Sequence, residues 1–309
     1  MQITIEHLKK HYGRTRAVDD ISFSFSSGEI IGFVGPNGAG KSTTMRIIAT
    51  LDEPTGGDVR LDEVSIVEEP EKGHRQIGYV PDALPGHRDI SVHEYLDFFA
   101  RSYGIASAAR TKVVESIEEF TNLIGIRDKH LNALSKGMKN RVSVARALVH
   151  DPAVLIMDEP AAGLDPRARV ELRELLKVLS ARGKAILISS HILTELSEIC
   201  TGAVIVERGR ILRAGSLAHI LTADVPHRTL VIRSLDGPEL LYKHLMLLPN
   251  IEAVRLVDSA VEADVSGGEE DCGELLANLV RDGHRVVEFH QQRAGLEQLF
   301  LNVTQGDVQ

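Results

Sequence analysis

The sequence predicts an α/β fold with a mixed sheet, a helical insertion and a small α+β domain towards its end. Three stretches carry that prediction. Gly35-Pro36-Asn37-Gly38-Ala39-Gly40-Lys41-Ser42-Thr43 follows the apolar run Ile30-Ile31-Gly32-Phe33-Val34 and leads into a helical stretch over 44–49. It fits the phosphate-cradling pattern G-x-x-x-x-G-K-[ST] at every required position. Ala153-Val154-Leu155-Ile156-Met157 ends in Asp158-Glu159-Pro160, and Ala185-Ile186-Leu187-Ile188-Ser189 ends in Ser190-His191. Continuous apolar runs bounded in this way read as parallel strands buried on both faces. Ligands of such sheets bind beyond the carboxyl ends of the strands.

From the start of the chain, residues 2–6 and 20–25 alternate apolar and polar, with Ile21, Phe23 and Phe25 on one face, the period of half-buried strands. Between them stands Tyr12, which read alone fits a packing or turn residue as well as a platform for a nucleobase. After the phosphate loop and its helix, Asp52-Glu53-Pro54-Thr55-Gly56-Gly57-Asp58 is a turn, and strand-like pieces follow at 59–61 and 77–80. Pro81-Asp82-Ala83-Leu84-Pro85-Gly86 reads as a loop. Ser91, with Glu94 three residues on, starts a helix carrying Val92, Tyr95, Leu96, Phe99 and Ala100. A second helix is expected over about 108–124, with Val113, Ile117, Phe120 and Ile124 on its inner face.

Leu134-Ser135-Lys136-Gly137-Met138 then opens a third helix, capped by Ser135. Gly137 lets the backbone approach whatever that helix end faces, either as an ordinary capped helix or as a second anion-facing N-terminus. Asp165-Pro166 starts an amphipathic helix carrying Val170, Leu172, Leu175, Leu176 and Leu179. Residues 204–207 and 210–212, joined by Arg208-Gly209, read as a hairpin.

The chemistry follows from where the polar groups fall. A strand feeding a glycine loop that opens a helix aims backbone N–H groups and the positive helix end at one point, where phosphates can sit. Lys41 would reach the β and γ phosphates and Ser42 would hold Mg²⁺. Asp158, at the end of a buried strand, suits Mg²⁺, and Glu159 suits polarising an attacking water. An unpaired charge is too costly to bury for packing alone. His191 falls at the end of a strand in the same sheet, within reach of a γ phosphate, though a lone histidine also serves as an ordinary surface or core residue.

Composition bounds the rest. The chain has 309 residues and a net charge of −9. That balance argues against a nucleic-acid binder. No apolar run approaches the ~18 residues that span a bilayer, and the first residues lack the layout of a secretory signal. Cys200 and Cys272 show no CxxC spacing and read as free thiols in a reducing cytoplasm.

Taken together, the phosphate loop, the helix-opening LSKGM at 134–138, Leu155-Ile156-Met157-Asp158-Glu159-Pro160 and Ser190-His191 resemble, in identity and order, the ATP-binding subunits of ABC transporters. LSKGM and its neighbours look closest to a drug- and polysaccharide-export branch. The resemblance covers about residues 1–220. It implies a P-loop NTPase core of ABC ATPase type over 1–220, with a helical subdomain at about 84–150. It also implies that Tyr12 stacks on adenine, that residues 35–43 bind ATP, that Glu159 is the catalytic base, and that His191 contacts the γ phosphate. Ser135, Gly137 and Asp165 would act on the nucleotide held by a second copy or a related ATPase subunit. Two chains would sandwich two ATP molecules and drive a membrane-spanning permease on a separate polypeptide, placing this chain in the cytoplasm on the inner membrane face. The alternative is a soluble ATPase of the same type serving as a regulatory switch without transport.

The sequence departs from the family at Asp82, where a glutamine that touches Mg²⁺ is usual; Asp82 is expected to serve the metal still, with altered coupling. LSKGM replaces LSGGQ, which places Lys136 where a lysine could face phosphate, and Ala162 replaces a common serine. Beyond the core, residues about 227–304 read as strand, helix, strand, strand, helix, strand and a short final helix at 296–303. This β-α-β-β-α-β order predicts a small ferredoxin-like accessory domain.

Overall fold

The computed structural model describes residues 1–84, 89–190, 196–222 and 228–291. The chain divides into two compact units, with the break after Ile220.

The first unit is built on two sheets. Strands β1 (Gln2–Tyr12) and β2 (Thr15–Ser26) pair antiparallel. With β4 (Gly56–Leu61) and β5 (Val64–Ser65) they form a four-stranded sheet in the order β2-β1-β4-β5. The alternation read from the sequence places Ile3, Ile5, Ile21 and Phe25 inside. The second sheet has six strands in the order β10-β9-β3-β8-β7-β6. These are β3 (Ile30–Val34), β6 (Ile77–Val80), β7 (Val154–Met157), β8 (Ala185–Ser190), β9 (Gly202–Glu207) and β10 (Arg210–Ser216). All neighbours run parallel except β10, which returns antiparallel to β9 across Arg208-Gly209. The apolar runs at β3, β7 and β8 are buried at every position. Helix α1 (Lys41–Ile48) contributes Met45, Ile47 and Ile48 to the core that both sheets share.

The helical insertion has its own core. After a short helix, α2 (Pro70–Gln76), come α3 (Val92–Ser102), α4 (Ser107–Phe120) and α5 (Lys136–Leu148). They pack Val92, Tyr95, Leu96, Val114, Leu134, Val142 and Ala145 together. Ser91 and Glu94 close the expected capping box. Of the face expected for α4, Ile117 packs against this core, but the fully buried positions are Val114 and Glu118, and Ile124 lies past the helix end and is 53% exposed. Apolar periodicity could not register a buried carboxylate. Glu118 is fully buried because His93 Nδ1 lies 2.8 Å from its Oε1 and Arg127 Nε 3.5 Å from its Oε2. Helices α6 (Pro166–Ala181) and α7 (Leu217–Thr222) complete this unit among the described residues.

The second unit runs β11 (Arg228–Ser234), α8 (Pro238–Leu245), β12 (Ile251–Val257), β13 (Ala260–Val265), α9 (Glu269–Arg281) and β14 (Val286–Gln291). Its antiparallel sheet has the order β12-β13-β11-β14. Leu230, Ile232, Leu241, Leu245, Val261 and Leu279 form its core. One sheet face carries a nearly buried Asp264, which accepts from Thr229 Oγ1 at 2.6 Å and pairs with Arg255. The helix expected at 296–303 lies outside the described residues.

Removing the Glu118 carboxylate strips His93 and Arg127 of their counter-charge. Glu118→Ala is expected to cost about 2 kcal/mol, below the usual cost of a broken buried pair because both partners are about a third exposed and can hydrate. Urea unfolding reads this directly; an unchanged midpoint would show that the cluster is incidental.

Candidate nucleotide and metal site

Parallel register sets the site. Val34 pairs with Ser190 across β3 and β8, and Met157 pairs with Ile188 across β7 and β8. The phosphate loop and the Asp158-Glu159 pair therefore leave the sheet at the same edge. The loop takes its shape from backbone crowding. A Cβ on Gly35 would lie 2.3 Å from the Val206 carbonyl oxygen, and one on Gly40 would lie 2.2 Å from that of Ala17. Gly40 also holds φ at 96°, the left-handed region that glycine occupies freely, and from there opens α1. The start of α1 thus follows the glycine loop directly, the order in which a helix N-terminus can take part in a phosphate cradle.

Lys41 is 7% exposed, and its Nζ donates to the carbonyls of Gly35 at 2.7 Å and Pro36 at 3.1 Å. Burial pulls its pKa down, while the charges of Glu159 and Asp158 oppose that shift. The three groups therefore stand in one electrostatic neighbourhood. Ser42 lies exposed in the first turn of α1, beside Thr43. Asp158 is 5% exposed and anchored by its backbone N–H to the Val80 carbonyl at 2.8 Å. Nearby, burial first and the Asp158 charge second push the Tyr79 phenol up to about 12, so it stays neutral. Glu159 turns the chain in a left-handed conformation, φ 47°. Ser42 and Asp158 supply hard oxygen donors beside an anion cradle, a set that fits Mg²⁺, which is bound by one or two carboxylates plus substrate phosphates.

Tyr12 is half exposed at the end of β1. Its hydroxyl donates to Asp52 Oδ2 at 2.9 Å, which raises its pKa, and Lys10 Nζ lies 5.1 Å from the ring centre. That brace is not legible in the sequence, because Asp52 lies 40 residues away within a turn. Asp82 is exposed and lines a cavity of about 390 Å³ of mixed polar and apolar lining, with Lys136, Lys139 and Asn140 as well as Leu84 and Leu164.

Ser135 and Asp165 each cap a helix. Ser135 Oγ accepts from Met138 N at 3.3 Å, and Asp165 Oδ1 from Ala168 N at 2.9 Å. A Cβ on Gly137 would meet Ala168 only at 3.5 Å, an ordinary contact, so space within the chain does not demand glycine there. Lys136 extends across its own chain: its Nζ lies 2.6 Å from where a Gly163 Cβ would stand. The start of α5 is further tied to the acidic loop by Asn140 Nδ2, which donates to the Pro160 carbonyl at 2.6 Å. His191 lies outside the described residues. A group not singled out from the sequence is Ser189, fully buried and bonded to both Asp158 and Glu159. The signal for it was a hydroxyl at the end of an otherwise apolar strand.

A glycine loop opening a helix, beside two carboxylates at the carboxyl ends of parallel strands, has the chemical groups to bind and hydrolyse a nucleotide. The profile of the ABC transporter family matches residues 18–162. A Nod factor export ATP-binding protein I of Paraburkholderia xenovorans (strain LB400) is 34% identical, over 99% of this chain and 98% of its own length. A linearmycin resistance ATP-binding protein of Bacillus subtilis (strain 168) is 30% identical, over 97% of each chain. A solved ATP-binding subunit of an ABC transporter superposes with a TM-score of 0.65 at 31% identity, over 71% of this chain and 92% of that one. A dimeric ATP-binding cassette in a post-hydrolysis state with ADP and Pi gives 0.64 at 25% identity, over 70% and 98%. The chain belongs to the ABC transporter family, as one of its ATP-binding subunits.

Two glycines of the loop separate strain from crowding. Gly38, at φ 81°, has nothing within 4 Å of a Cβ, whereas Gly40 meets the Ala17 carbonyl. Gly38→Ala is expected to cost about 1 kcal/mol and Gly40→Ala roughly 2 kcal/mol or more. Equal unfolding midpoints for the two variants would contradict the crowding at Gly40.

Proposed function

We propose that this chain is the ATP-hydrolysing motor of an exporter whose membrane-spanning permease is a separate polypeptide. The observation that carries the reading is the convergence of Lys41, Asp158 and Glu159 at the carboxyl ends of β3 and β7, close enough for each carboxylate to act on the lysine. Export is drawn from the relatives, one named for Nod factor export and the other for linearmycin resistance. The described residues include no helix long and apolar enough to cross a membrane. The permease would hold the chain at the cytoplasmic face.

In this reading the Tyr12 ring, held by Asp52, stacks on adenine. Backbone N–H groups of residues 35–43, Pro36 excepted, bind the phosphates, and Lys41 exchanges its loop carbonyls for the β and γ phosphate oxygens. Ser42 and Asp158 hold Mg²⁺, with Asp82 as a further oxygen donor; the ion neutralises charge on the phosphates. Glu159 accepts a proton from the attacking water, and His191 contacts the γ phosphate. The capped starts of α5 and α6, with Ser135, Gly137 and Asp165, face the nucleotide of a second ATPase subunit.

The test is ATP turnover by the full chain beside Glu159→Gln, with mass by light scattering. Loss of a general base is expected to lower kcat about 100-fold or more, and the variant should accumulate as an ATP-bound dimer. A Glu159→Gln protein turning over at the parent rate would remove Glu159 from the mechanism. For Asp82→Ala, a severalfold higher Mg²⁺ requirement is expected. Unchanged Mg²⁺ dependence and turnover would take Asp82 out of the metal site.

A further inference from the structure

Ser189 lies at the carboxyl end of β8 and is 0% exposed. Opposite Ile188 stands Met157, so the next residue on each strand brings Ser189 beside Asp158. A buried hydroxyl has to be satisfied, and this one is satisfied twice. Ser189 Oγ donates to Asp158 Oδ1 at 2.8 Å and accepts the Glu159 N–H at 2.7 Å. One oxygen atom thus touches both acids that end β7. Its single proton goes to the carboxylate, and its lone pair takes the amide.

The second bond matters because of what it holds. Glu159 has φ 47°, a region that a long L side chain rarely occupies unless its surroundings fix it there. The turn at Glu159 decides where that carboxylate points, and the Glu159 amide is held by Ser189. The first bond constrains the rotation of the Asp158 carboxyl group through one oxygen and leaves the other unused by Ser189.

We propose that Ser189 is a positioning residue for ATP hydrolysis, setting through one hydroxyl both the carboxylate plane of Asp158 and the backbone turn of Glu159. This rests on the roles given above to Asp158 and Glu159. A serine that merely filled space would affect stability alone. A positioning serine also alters the response to Mg²⁺, because Asp158 is the proposed ligand.

The experiment uses the full chain with Ser189→Ala, Ser189→Thr, Ser189→Cys and Glu159→Gln. Two quantities are read: kcat, and the Mg²⁺ concentration giving half of the ATP-induced rise in Tm, which needs no hydrolysis. Ser189→Ala is expected to lower kcat roughly 10- to 100-fold, the range for a residue orienting a metal ligand, and to raise the Mg²⁺ midpoint severalfold. Ser189→Thr keeps the hydroxyl and should retain at least about a third of the parent kcat. Ser189→Cys, a weak donor of similar size, should fall between and serves where the alanine variant folds poorly. A Ser189→Ala protein with both quantities within about twofold of the parent overturns the proposal, as does an equal loss in the alanine and threonine variants. Full turnover by Glu159→Gln would instead sink the assignment of the base, while the Mg²⁺ midpoint would still report on Ser189 and Asp158.

Discussion

The constraint on which the rest of this structure depends is the cost of bringing one ammonium and two carboxylates to the edge of a sheet whose strands are buried on both faces. Lys41 and Asp158 are almost wholly enclosed, and charges in such surroundings persist only when paired or hydrogen-bonded. Each is provided for locally. Lys41 donates to two loop carbonyls, Asp158 accepts from Ser189, and the opposite charges act on one another across the site. The arrangement leaves the lysine on replaceable partners. A triphosphate offers more strongly charged acceptors than backbone carbonyls, so binding can exchange those bonds rather than create an unmet charge.

The parallel register is what makes such economy feasible. With β3, β8 and β7 adjacent, the carboxyl ends of three neighbouring parallel strands lie at one edge, so the cradle, the acids and the end of β8 need no long excursions to meet. The helical insertion is then joined to this edge by polar ties, among them Asn140 to the Pro160 carbonyl and Arg141 to Glu171, and the Lys136 side chain lies over Gly163. These ties run between α5 and the segment following Glu159.

Much of this was legible in the sequence because the decisive signals are local. The phosphate loop is contiguous, the buried strands are unbroken apolar runs, and the caps at Ser91, Ser135 and Asp165 sit three residues from the amides they accept. What escaped depends on pairing between distant residues. Glu118 reads as a surface acid until His93 and Arg127 are brought to it, so the α4 periodicity shows Ile117 but not the buried carboxylate beside it. Asp52 reads as a turn residue until β1 carries Tyr12 to it. Lys136 reads as a lysine aimed outward at phosphate, yet it extends over Gly163 of the same chain.

Glu159 gathers these threads. A left-handed φ at a glutamate costs of order 1–3 kcal/mol and persists only where neighbours over-determine it. Here the neighbours are identifiable: its N–H goes to Ser189, its carbonyl accepts from Ala162 N at 3.0 Å, and the next carbonyl, of Pro160, accepts from Asn140. Two bonds on Glu159 itself and one on the residue after it hold a conformation that glutamate would not choose. A relaxed strand end would let the side chain continue the alternation of β7 and return toward a face of the sheet. The left-handed turn breaks that alternation at the position where a carboxylate must stand clear of the sheet, and the strain is thereby spent on direction.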